Sequence, residues 1–145
     1  MRIIAAALLL TVAPLTANAA ENFTFKTTGA AIDGLRSPAT GPSFQGVQMQ
    51  NTQADVTFAG GRKSNPKAKC ASWRNPPNAQ FPQSGICVSA EYEQSYSCQP
   101  RGEGKPGANC WGLLRGTAGA YAGKTGVVAY TSGPEGTEGV GRWND

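Results

Sequence analysis

The chain of 145 residues contains no histidine. That absence removes the usual general base, so neither a Ser-His-Asp nor a Cys-His machine can be assembled from it. It also removes the commonest partner of cysteine at zinc sites. With no CxxC among Cys70, Cys87, Cys98 and Cys110, a metal centre fails on ligand spacing. Charge is sparse as well, 15% of residues with a formal net of +4. Such a balance is too weak to argue for nucleic acid or an anionic membrane surface as partner. Helix-period apolar patterns are missing beyond residue 20. Glycine (19) and proline (10) are frequent but scattered without a three-residue period, which excludes collagen and points to tight turns between short strands.

One long apolar run is present, and it opens the chain. Arg2 precedes the nearly uninterrupted apolar stretch Ile3–Leu10, Pro14 breaks it, and Ala17-Asn18-Ala19 supplies small residues for a cleavage site. This reads as a secretory signal peptide over residues 1–19, leaving 20–145 as one periplasmic or secreted domain. The run is too short to span a bilayer and does not recur, so the mature chain is expected not to be an integral membrane protein. About 125 residues suit a single domain with a modest core.

In an oxidising compartment, four cysteines read as two disulfides, for which three pairings exist. Cys70–Cys87 with Cys98–Cys110 is the expected set, because each pair closes one local strand–loop–strand segment.

The remaining pattern is one of strands and turns. Asn22–Thr28 alternates as a half-buried strand does, and residues 29–43 read as a Gly/Pro/Ser loop. Phe44–Gln50 and Gln53–Ala59 follow as two strands joined by a turn at Asn51-Thr52. Ala68–Arg74 is a further strand, and Asn75–Ser84, with three prolines, is a loop. Ile86–Ser97 gives the longest strand signal and Gln99–Ala108 another loop. Asn109–Arg115, Thr125–Thr131 and Thr137–Trp143 complete the set. About eight short strands connected locally predict an all-β fold, a small antiparallel β-barrel stapled by two disulfides. Such a barrel is just wide enough to fill with side chains or to hold one small ligand.

The segment from Cys110 to Gly126 resembles the allene oxide cyclase and dirigent barrel superfamily. Members carry a Gly-x-Gly-x-Tyr-x-Gly-x-x-Gly-like stretch before the final strands. Here Gly119-x-Tyr121-x-Gly123-x-x-Gly126 matches, with Thr117 where the first glycine of the pattern falls. The cysteine-bearing strands are closer to small bacterial exported members than to the plant enzymes, none of whose catalytic residues aligns. The resemblance implies a barrel in which Gly116, Gly119, Tyr121, Gly123 and Gly126 form a structural turn. It permits a cofactor-free isomerase or cyclase.

Other motifs resolve into bland readings. Ala118-x-x-x-x-Gly123-Lys124-Thr125 fits a loose phosphate-loop pattern, but Gly126–Thr131 is strand-like, whereas a phosphate loop opens a helix whose N-terminus holds the phosphate. No nucleotide or other cofactor is therefore expected. Glu91 and Glu93 share one face of a strand, and Ala90, Tyr92, Gln94 and Tyr96 share the other. Tyrosine and alanine are cheaper to bury than two glutamates, so the tyrosines are expected inside and the glutamates in water. The basic stretch Arg62, Lys63, Lys67, Lys69 and Arg74 reads as a solvated loop. Trp73, Trp111 and Trp143 read as packing positions, with sugar stacking as the alternative.

The expectation is thus an exported barrel without cofactor that binds a small apolar or amphipathic molecule or serves the envelope structurally. The candidate pocket residues are Tyr92, Tyr96, Tyr130, Trp73 and Arg115. A cofactor-free cyclase and a polysaccharide-binding surface are the competing functions.

Overall fold

A computed structural model describes residues 20–35 and 47–144. Residues 1–19, read above as a signal peptide, and the start of the strand expected from Phe44 lie outside the described residues. Among the described residues nine strands form one antiparallel sheet: β1 (Glu21–Leu35), β2 (Val47–Phe58), β3 (Lys63–Ser64), β4 (Lys67–Arg74), β5 (Gln83–Ser89), β6 (Tyr92–Pro100), β7 (Ala108–Gly116), β8 (Thr125–Gly133) and β9 (Gly136–Asn144). Neighbours run β1-β9-β8-β7-β6-β5-β4-β2, and β1 pairs with β2 to close the ring. The result is an eight-stranded antiparallel barrel, with two-residue β3 attached to the end of β2. One turn of 3-10 helix (Gly119–Tyr121) interrupts the β pattern.

Side chains alternate between interior and solvent along each strand. The strongest alternation is in β7, where Cys110, Gly112, Leu114 and Gly116 are buried and Trp111, Leu113 and Arg115 are exposed. Both disulfides join residues directly opposite across a strand pair, Cys70–Cys87 between β4 and β5 and Cys98–Cys110 between β6 and β7. The expected pairing holds and leaves no free cysteine. Two disulfides are compatible with an extracytoplasmic protein. Among the described residues no helix is long and apolar enough to cross a membrane.

The register corrects three boundaries read from sequence. The turn expected at Asn51-Thr52 does not exist, since β2 runs unbroken through it, pairing Asn51 with Ala30 and Thr52 with Gly29. Where a loop was expected from residue 29, β1 instead continues to Leu35 against that same strand, and residues 36–43 of the expected loop lie outside the described residues. The single strand expected over Ile86–Ser97 is two strands. A tight turn at Ala90-Glu91 reverses the chain, held by the Ser89 hydroxyl, which accepts from the Tyr92 amide at 3.0 Å and donates to the Tyr92 carbonyl at 3.0 Å. Ala90 is therefore an exposed turn residue and not an inward neighbour of Tyr92.

Candidate ligand cavity

The interior divides along the barrel axis. At the end where β1 starts and β9 finishes, here called the lower end, inward positions are apolar. Phe23, Val56, Phe58, Leu114, Tyr121, Val128 and Trp143 form one buried cluster. The β7–β8 connection supplies its lid. Its glycine-rich segment closes on itself through Gly116 N–H to the Lys124 carbonyl (2.8 Å) and Lys124 N–H to the Tyr121 carbonyl (2.9 Å). The Glu91 carbonyl in the β5–β6 turn accepts from Thr117 (2.7 Å) and Ala118 (3.1 Å), pinning the loop over the opening. Gly116 allows the approach, because a Cβ there would collide with the Tyr121 backbone.

Tyr121 is thereby folded back into the barrel. Its ring stacks on Trp143 with centroids 4.6 Å apart, and meets Phe58 and Tyr92 at 6.5 and 6.3 Å. Arg62, from the β2–β3 connection, lies over the Phe58 ring with Cζ 3.5 Å from the centroid. It donates to the Tyr121 hydroxyl at 3.3 Å and to Glu21 Oε2 at 2.7 Å. Those partners raise the Arg62 pKa, the Glu21 hydrogen bond first. The lower end is a plug of rings under a cation.

Higher in the barrel the same strands turn polar inside. A cavity of about 560 Å³ runs along the interior, bordered at its lower end by the ring cluster, Phe23, Phe58, Tyr121 and Trp143 among it, and higher up by polar side chains. Its wall includes Gln50 and Thr52 on β2, Gln94 and Tyr96 on β6, Tyr130 on β8 and all four disulfide cysteines. Phe25, Tyr130 and Tyr96 follow one another edge to face, with centroids 5.9 and 6.1 Å apart. The Tyr96 ring lies on Gly85, where a Cβ would occupy the space of the ring. Buried Ser72 faces the Tyr96 hydroxyl, and Gln94 faces that of Tyr130. Thr52 donates to the Ala68 carbonyl at 3.3 Å, with Cys70 Sγ 3.5 Å from the same hydroxyl.

Burial shapes the acid chemistry of this wall. Desolvation raises the pKa of Tyr92 to about 12, with the nearby Tyr121 and Glu91 adding to the shift. Desolvation likewise raises Tyr96 and Tyr130, although hydrogen bonding to Ser72 and Gln94 opposes it. At physiological pH all three are neutral phenols that donate and accept hydrogen bonds.

All four tyrosines of the chain (92, 96, 121 and 130) border the cavity. The structure thus brings together Tyr92, Tyr96 and Tyr130 of the expected pocket set. It does not bring in Trp73 or Arg115. Trp73 is half-buried on the outer wall of β4, one residue out of phase with inward Cys70 and Ser72. Arg115 is outside on β7, where its guanidinium donates to Glu93 Oε2 at 2.8 and 3.2 Å. Glu93 faces outward as expected, and Glu91 sits exposed in the turn. The tryptophans do not form one platform, since Trp143 is buried in the plug while Trp111 is on the outer wall against Phe81. The Gly123-Lys124-Thr125 stretch leads into β8 and not into a helix.

Sequence reasoning missed Gln50 and Thr52 as wall residues, Ser72 as the partner of Tyr96, and Arg62 as the cation over the plug. Polar residues at alternate strand positions signal a solvated face, so nothing local marks them as inward. A scan of family models, a search of curated proteins and a search of solved structures each find no match to this chain.

Proposed function

We propose that the protein is an exported carrier or receptor that holds one small amphipathic molecule inside its barrel. The observation that carries this reading is the cavity of about 560 Å³ beneath a hydroxyl- and amide-bearing wall. That volume falls within the range of small-molecule sites, which combine an apolar lining with a few placed polar groups. A barrel with only a structural role would gain stability by filling the same space with aliphatic side chains. The resemblance of Gly119–Gly126 to the allene oxide cyclase and dirigent barrels supports the same placement of the ligand, and we include membership of that superfamily in the proposal. Holding is favoured over acid–base catalysis. Glu93 is outside, Glu91 is exposed at the plugged rim, and burial keeps the wall tyrosines protonated.

Native mass spectrometry of the protein purified from its own host tests the proposal. The expected spectrum contains a one-to-one adduct that disappears on denaturation. A bare polypeptide mass, together with no binding of any neutral hydrophobic probe, would overturn it.

A further inference from the structure

We propose that the cavity selects uncharged ligands: ring-bearing molecules with a hydroxyl, carbonyl or ether oxygen, to the exclusion of a carboxylate or sulfonate on the same skeleton. The proposal rests on the reading of the interior as a ligand site and specifies its chemistry.

The argument is one of charge and position. The polar groups described on the upper wall include the amides of Gln50, Gln83 and Gln94 and the hydroxyls of Thr27, Thr52, Tyr96, Tyr130, Ser132 and Thr137, with buried Ser72 behind Tyr96. Each can donate or accept, and none carries charge. Beside them stand the two disulfides and the Phe25 ring, which offer contact without charge. Among the described residues three ionisable side chains other than tyrosine reach the cavity: Arg62 in the β2–β3 connection, Lys67 as the first residue of β4, and Glu91 in the β5–β6 turn, all toward the lower end. Arg62 is already engaged by Glu21, the Tyr121 hydroxyl and the Phe58 ring. Lys67 and Glu91 are exposed. An anion seated between Tyr96 and Tyr130 would therefore lose its hydration and find no cation in exchange among the described residues of the upper wall, a loss far larger than neutral donors restore. A neutral oxygen at the same place meets phenol and amide partners while its ring packs on Phe25 and the sulfurs. Burial of the tyrosines, which holds them protonated, keeps this wall uncharged.

A matched pair of dyes tests the inference: N-phenylnaphthylamine, which is neutral, and anilinonaphthalene sulfonate, which adds one fixed negative charge to that skeleton. Both are titrated by fluorescence against the folded protein, its Gln94→Arg and Thr52→Arg variants, and the outer-wall variant Leu113→Ser. The neutral dye is expected to bind at least about tenfold more tightly than the sulfonate, the ratio set by one uncompensated buried ion. An arginine on the wall should narrow or invert that ratio in whichever of the two variants retains a cooperative melt. Leu113→Ser should leave it unchanged, because Leu113 is 65% exposed on the outside of β7.

Equal affinities for the two dyes would overturn the selectivity while leaving the ligand reading in place. Binding of neither dye would remove both. Loss of neutral-dye binding in Leu113→Ser would move the dye to the outer wall and overturn the inference.

Discussion

At the lower end, inward positions carry Phe23, Phe58, Leu114 and Trp143, with Tyr121 folded in from the β7–β8 connection. Further up the same strands they carry Thr27, Gln50, Thr52 and Gln94 around open space. The outer wall runs the opposite way in part: Met49, Ile86, Trp111, Leu113, Val127 and Val140 are large, apolar and 44–65% exposed. One barrel thus combines a ring-packed half, built as a core is built, with a half whose interior is hydrogen-bonded and polar. The contrast teaches that ring packing and interior polarity are assigned to different levels of the same strands. Hydrophobic burial and ring stacking close one end, leaving the other free to keep a cavity.

Breaking the plug should have the largest effect. Trp143→Ala removes the ring on which Tyr121 stacks and should cost about 4 kcal/mol in a denaturant melt, as large aromatic truncations in cores do. A cost near 1 kcal/mol would mean that the lower end is not the stabilising half.

Alkali probes both halves together. With the folded pKa of Tyr92 raised to about 12 from an unfolded value of 10.0, the native state binds the extra proton between those values. Stability is therefore fully present below pH 10 and falls as pH rises toward 12, by about 3 kcal/mol for this residue. Absorbance at the tyrosinate band, followed beside circular dichroism, should show the interior phenols ionising only as the fold is lost. Ionisation near pH 10 with the fold intact would contradict their burial.

Tyr96→Phe sharpens the contrast at the other level. It deletes the hydroxyl facing Ser72 and should cost about 1 kcal/mol of stability, the worth of one buried hydrogen bond, while weakening binding of the neutral dye. Smallest of all is Glu93→Ala. Its ion pair with Arg115 lies on the outer wall, and the change should stay within about 0.5 kcal/mol by thermal melt.

How far the sequence could be read follows from the same division. The barrel and both disulfides were legible, because short alternating strands, turn residues and locally spaced cysteines are local signals; the strand count agreed because splitting β2 in two offset the fusion of β5 with β6. β2 shows where legibility failed. Val56 and Phe58 point inward, whereas Met49, of opposite parity, is 46% exposed and points out. The apolar face therefore switches sides along the strand. From sequence the switch reads as two strands with a turn at Asn51-Thr52. In the barrel it marks the passage from plug to cavity, where Gln50 and Thr52 take the inward positions. The parity of Tyr92, Gln94 and Tyr96 was readable because aromatic rings favour the interior whatever surrounds them. Arg62 was not. Its place over Phe58 depends on a connection that only the closed ring brings back to Tyr121, 59 residues away in sequence.

The most direct test of the divided interior is a solution NMR titration with N-phenylnaphthylamine, following ring and side-chain amide resonances. The account predicts the largest shifts at Tyr96, Tyr130 and Gln94, smaller ones at Trp143, and none at Leu113. Shifts centred on Trp143, or on Leu113 and Val140 of the outer wall, would contradict it.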